Sequence, residues 1–174
     1  MNTLEAIGSR KSTRSFTDEM ISEDELQIIL KAGMSAPIGM GKYDSLHITV
    51  VQNQGLITRI FDEAQEVISA TLGFKKSFNY GASTFIIVSS QPSYREGMDY
   101  ANVGFVIENM ALAATDIGID NCIMGAPIAA LANNAELSDA IGIPNGFKPI
   151  LGIVFGYATT CESAKKHEIT VNRI

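Results

Sequence analysis

The chain has 174 residues, of which 46% are apolar and 18% charged, with a net charge of −6. That length suits one domain, residues 1–174, with enough apolar material for a real core. The acidic balance, with a pI near 4.9, leaves no surplus of cations for counterion release, which excludes a general binder of nucleic acid or anionic membrane.

Helical and strand signals alternate along the chain. Thr3 is positioned to cap a short helix through about Ser9. Ser22 and Glu25 form a capping box, and Leu26, Ile29 and Leu30 behind it share a helical face that runs to about Met34. A Gly-rich loop, "SAPIGMGK" from Ser35 to Lys42, stops that helix. Leu46, Ile48 and Val50 alternate with His47 and Thr49, a strand signal. Leu56, Ile60, Ala64 and Val67 recur at helical spacing up to Gly73, and "TFIIVSS" (84–90) reads as a strand buried on both faces.

From about Met98 to Gly118 the pattern is helical and apolar on nearly every side, so the helix is central, and packing against a second copy is one way to cover it. Its apolar run carries Glu108, Asn109 and Asp116, which marks a buried helix of a globular protein and not a membrane span. A short strand and turn, "IDNCIMGAP", follows. Ile128 to Ile141 reads as one helix stopped by Gly142 and Pro144, and "ILGIVFGYA" as a strand. The tail, about 159–174, ends in "HEITVNRI", which alternates weakly. Helices and strands without a strict βαβ repeat give an α+β fold with a central mixed or largely antiparallel sheet flanked by helices.

The chemistry-bearing residues are few. Cys122 and Cys161 lack metal-ligand spacing, and His47 and His167 lie far apart, so no metal site is expected. "MNTLEAIGSRK" has no apolar stretch of the kind that directs secretion, and the expected location is cytoplasmic. Against the acidic background, "SRKSTRSF" (9–16) stands out. Arg10, Ser12 and Arg14 alternate, and in an extended segment they can converge on one anion, with the planar guanidinium matching a phosphate. A solvated basic loop beside the negative end of a helix dipole fits the same residues.

Arg10-Lys11-Ser12-Thr13-Arg14-Ser15-Phe16 resembles the R-x-S-x-[RK]-x-F opening of the flavin-dependent nitroreductase family. Further matches follow in that family's order: "SEDELQIILKAGMSAP", "LHITVV", "FNYGASTFIIVSS", "VIENMALAATDIGIDNCIMG" and "LGIVFGYA", together spanning about residues 3–158. The resemblance implies an intertwined homodimer with a bound FMN. Arg10 and Ser12 would hold its phosphate, with Lys11 reaching the ribityl chain or the phosphate. Arg14 would lie at the pyrimidine edge, where a cation favours the reduced flavin.

Backbone at Met124 and Gly125 would sit beside the flavin ring, since a residue without Cβ permits close approach. Pro37, Ile38 and Gly39 belong to the loop that packs on the flavin from the other subunit. There the chain departs from the family, with an apolar, Gly-rich stretch in place of the usual Ser and Asn donors. Lys165 and Lys166 in the tail are further phosphate candidates. The implied activity is FMN-dependent oxidoreduction, with NADH or NADPH as reductant and a nitroaromatic, quinone or similar small molecule as acceptor. The flavin carries that chemistry, so no catalytic side chain is required. A flavin-binding sensor or carrier without turnover is the alternative.

Overall fold

Side-chain caps fix where the helices begin. The cap of α1 (Thr3–Ser9) is Asn2 and not Thr3: Asn2 Oδ1 accepts from the Glu5 N–H at 3.0 Å, and Glu5 accepts from the Asn2 N–H at 2.9 Å. Starting the capping box at residue 2 places Glu5 at the third helical position, which a cap at Thr3 would not. Helix α2 (Glu23–Met34) opens with the expected Ser22–Glu25 box. The Ser22 hydroxyl and N–H hold the Glu25 carboxyl below its ordinary range, and the Tyr157 hydroxyl adds a third donor at 3.1 Å. That bond ties the start of α2 to the far end of the sheet.

The computed structural model describes residues 1–75, 77–160, 163–164 and 167–174. Strands β1 (Leu46–Val51), β2 (Thr84–Ser90), β3 (Asp120–Met124) and β4 (Lys148–Gly156) form one sheet in the order β1-β2-β4-β3. Every pairing is antiparallel, so the sheet is not mixed. All seven residues of β2 are buried, because helices cover both faces. On one face, Leu26 and Ile29 of α2 and Val106, Ile107 and Met110 of α4 (Met98–Asp116) pack on Ile86, Val88, Ile153 and Phe155. On the other, Ile57, Ile60 and Phe61 of α3 (Gln54–Leu72) and Leu131 of α5 (Ala126–Asn133) pack on Phe85, Ile87 and Val154.

One helix differs from the sequence reading. The helix expected over Ile128–Ile141 is two helices, α5 and α6 (Ala135–Ala140). Asn134 between them is extended (φ −129°, ψ 93°) and its side chain accepts from the Leu137 N–H at 3.0 Å. An Asn that can cap offers the backbone an alternative to continuing the helix, and here the cap wins. The tail forms no strand among its described residues, and Ile169, Val171 and Ile174 are exposed. Helix α4 is largely covered by its own chain, with Val103, Val106, Met110, Ala111 and Ala114 buried. Tyr100 and Phe105 remain exposed on its open side. No helix among the described residues is long and apolar enough to cross a membrane.

Gly152 shows how tightly the sheet packs. A Cβ there would lie 2.5 Å from Cε2 of the fully buried Phe85 ring, whereas one at Gly33 would meet the flexible end of Met110. Gly152→Ala is expected to destabilise the protein by about 1–3 kcal/mol, the usual range for overpacking. Gly33→Ala should cost less, because a thioether moves more easily than a ring. Urea denaturation of the two variants measures both.

Candidate functional site

The basic segment follows directly from the end of α1. Arg10 is the C-cap, with φ −57° and ψ 130°, so the chain leaves the helix extended. It then runs along the outer edge of β3 near its start and on past the end of β4. Ser12 bridges Asn121 of β3 in parallel, and the Thr13 N–H donates to Asn121 O at 2.9 Å. Phe16 bridges Ala158 just beyond β4, with Thr17 N–H on Tyr157 O at 2.8 Å and Thr159 N–H on Ser15 O at 3.1 Å. Asn121 is fully buried and its amide donates to Ala111 O at 3.1 Å and to Thr115 Oγ1 at 3.3 Å. The segment is therefore fastened through β3 to α4.

The side chains divide between partners. Lys11 Nζ lies 2.9 Å from Asp120 Oδ1, and the Thr13 hydroxyl donates to the same oxygen at 2.8 Å. Arg10 turns toward α4, its Nε 3.9 Å from Glu108 Oε1. Arg14 is exposed and donates to Ser12 O at 3.2 Å. Cys122, buried in β3, lies close to this group. Burial pushes its thiol pKa up, opposed by the charge of Arg14, the Ser12 hydroxyl and the charge of Arg10.

Strand β3 carries the chain from Asp120, beside the basic segment, to Met124 at its other end, roughly 13 Å at the usual strand rise. Met124 is buried, and Gly125 after it is exposed, with open space where a Cβ would be. Gly125 starts α5 without a side-chain cap. A cleft of about 720 Å³ opens beside it, lined by Tyr100, Ile128, Phe147 and Ile150 among others.

The Pro37–Gly39 loop attaches elsewhere. Pro37 is exposed, Ile38 is buried in the core under α2 and α4, and Gly39 N–H donates to Asn102 Oδ1 at 3.0 Å. Met40 holds a left-handed backbone at φ +60°, a conformation a non-glycine residue keeps only when its surroundings over-determine it. The loop meets α4 at Asn102, and the basic segment meets it at Glu108 and, through Asn121, at Ala111 and Thr115. These attachments lie roughly 10–20 Å apart along the helix.

A family model described as the nitroreductase family matches residues 7–157. The chain belongs to the nitroreductase family. Two solved nitroreductases with bound FMN resemble it over nearly their whole length. One, from Desulfitobacterium hafniense, is 30% identical, with a TM-score of 0.87 and coverage of 99% of this chain and 100% of the other. The second, from Bacteroides fragilis, is 26% identical, with a TM-score of 0.83 and coverage of 100% and 97%. An Archaeoglobus fulgidus protein with the provisional name NADH dehydrogenase/NAD(P)H nitroreductase is 26% identical over 162 residues, 88% of this chain and 84% of that protein.

Of the residues singled out from sequence, the structure groups Arg10, Lys11, Ser12 and Arg14 at the start of β3. Met124 and Gly125 lie at its far end, and Pro37, Ile38 and Gly39 over the first half of α4. Lys165 and Lys166 lie outside the described residues. Sequence reasoning passed over Thr13, Glu108 and Asp120. The signal for Asp120 was available: if Arg10, Ser12 and Arg14 share one side of an extended chain, Lys11 and Thr13 need a partner on the other.

The raised Cys122 pKa has a direct readout. In a chain carrying Cys161→Ser, iodoacetamide should modify native Cys122 about tenfold or more slowly than in urea, because thiolate and access are both scarce in the fold. Mass spectrometry of timed samples measures the ratio.

Proposed function

We propose that this chain binds FMN at the Arg10–Arg14 segment and β3, and works as an NAD(P)H oxidoreductase whose acceptors are nitroaromatics, quinones or similar small molecules. FMN, when bound, supplies the centre that accepts and donates hydride. The observation that carries the reading is the layout along β3, with clustered cations at one end and an exposed, uncapped Gly125 backbone at the other.

The residues present fit the group. Arg10 and Ser12 offer a charged fork and a hydroxyl to a phosphate that is close to a dianion at neutral pH. The contact from Arg10 to Glu108 is long and partly exposed, so it is readily exchanged for a stronger anion. Arg14 is free to place a fixed cation beside the electron-rich edge of the ring, which favours the reduced form. Gly125 lets the backbone approach closely, with its N–H as a donor. The adjacent cleft presents Tyr100, Phe147 and Ile150 to a flat aromatic acceptor, in keeping with the apolar lining of small-molecule sites. The provisional name of the Archaeoglobus fulgidus relative, with its NADH and NAD(P)H, supports a nicotinamide reductant.

A homodimer completes the reading. The Pro37–Gly39 loop and the basic segment attach to different turns of α4, and a second copy would supply the loop to the site of the first. Tyr100 and Phe105 on the open side of α4 offer it an apolar surface. The tail, from about residue 159, would cross to the partner. Ile169 and Val171 are two residues apart and exposed, and β1 is an edge strand that pairs only with β2 among the described residues. Adding a strand to such an edge satisfies its unpaired backbone groups.

Substitutions separate the two arginines. Arg10→Ala should raise the FMN dissociation constant by roughly ten- to a hundredfold, the value of one lost charge-assisted contact. Arg14→Ala should retain much of the FMN yet lower its midpoint potential. Fluorescence titration and spectroelectrochemistry read the two effects, and unchanged occupancy in the first variant would remove the phosphate assignment.

Deleting residues 165–174 should weaken both dimerisation and flavin retention. Analytical ultracentrifugation of the shortened chain, with its flavin absorbance followed alongside, tests the crossing tail. A full-length protein that sediments as a monomer with FMN bound would end the shared-site reading.

A further inference from the structure

We infer that Asp120 is a positioning residue of the cofactor site, which draws Lys11 and Thr13 to one side of the basic segment and so leaves Arg10, Ser12 and Arg14 to the cofactor. The inference rests on the FMN reading above. Its ground is that one carboxylate oxygen takes both odd-numbered side chains. Lys11 Nζ stands 2.9 Å and Thr13 Oγ1 2.8 Å from Asp120 Oδ1, while Arg10 and Arg14 make their contacts elsewhere.

Two residues apart is the repeat of an extended chain, so a single acceptor at the start of β3 can hold both. The backbone agrees with the side chains: the Thr13 N–H is bonded to Asn121 O, one residue beyond Asp120. Lys11 and Asp120 are both only partly exposed, so their pairing is less screened than a surface pair. Lacking such a partner, Lys11 is a mobile cation next to an anion-binding segment and competes with Arg10 for the phosphate and with Arg14 for the electron-rich edge of the ring. With Asp120 in place it becomes a strut.

Charge alone makes the opposite forecast. Asp120 puts a negative charge near the site of a dianion, so removing it should tighten FMN binding and raise the flavin potential. Positioning requires that removing it weakens binding and, by loosening Arg14, lowers the potential. The sign of each change therefore decides between the two.

The experiment uses the full-length flavoprotein and the variants Asp120→Asn, Thr13→Val and Thr13→Ser. These near-isosteric changes keep the fold testable, and the melting temperature of each is recorded. FMN dissociation constants are measured by fluorescence quenching and midpoint potentials by spectroelectrochemistry. We expect Asp120→Asn and Thr13→Val to weaken FMN by about tenfold, with a lowered potential, and Thr13→Ser to behave as the unaltered protein because it restores the hydroxyl. Unchanged or tighter FMN binding, or a raised potential, in Asp120→Asn overturns the positioning role while leaving the FMN reading intact. An unaltered protein that binds no FMN overturns the FMN reading itself.

Discussion

The short extended run from Arg10 to Phe16 is wedged against the start of β3 and the exit of β4, and the placement of the chain's basic cluster depends on that wedge. Ser12 and Thr13 join Asn121, while Ser15, Phe16 and Thr17 join residues 157–159. Each backbone bond is worth only about 1 kcal/mol net. Together they hold the side chains of residues 10–14 in one register, with a period of two that sends neighbours to different partners. Phe16 finishes the wedge: it is buried, and Gly156 and Gly81 leave the space it needs, since a Cβ at either would approach it within 3.4 Å.

The wedge is only as firm as β3, and β3 is held from both faces. Asn121 is bonded to α4 on one side, and Cys122 and Met124 enter the apolar core under α3 and α5 on the other. A five-residue strand at the sheet edge would be a weak support alone. Here the two-sided core makes it a rigid bar, with cations fastened at one end and an open backbone turn at the other. Rigid elements hold a site more accurately than loops do.

The chemistry of the cofactor sets what such a site asks of the chain. An enzyme whose cofactor carries the redox chemistry needs anchors, a well-placed charge and room for a second substrate. The polar side chains of this site are accordingly spent on each other and on the backbone: Asp120 on Lys11 and Thr13, Asn121 on α4. The strained Met40 lies in the loop that follows α2 and is fastened to α4 through the Gly39–Asn102 bond. Local strain of this kind is usually kept where geometry matters to function.

Much of this was legible in the residues themselves. The capping box at Ser22–Glu25, the alternation in 46–50, the doubly buried 84–90 strand and the apolar helix from Met98 are local patterns, and local patterns survive folding because they express backbone and solvent preferences of the segment itself. The cluster at residues 10–14 was visible for the same reason, as a charge anomaly in an acidic chain. The break at Asn134 was less visible, because a capping Asn competes with helix continuation by a margin that neighbouring packing decides.

What the sequence could not settle was which member of the basic cluster faces which partner. Lys11 looked like a ligand and Asp120 looked like the unremarked first residue of a strand. They lie more than a hundred positions apart, and only the pairing of an extended segment with β3 brings them within 2.9 Å. Composition and spacing determined that a cationic, extended, hydroxyl-bearing segment exists. Tertiary structure alone decided its allegiances, since those are long-range contacts and no local periodicity encodes them.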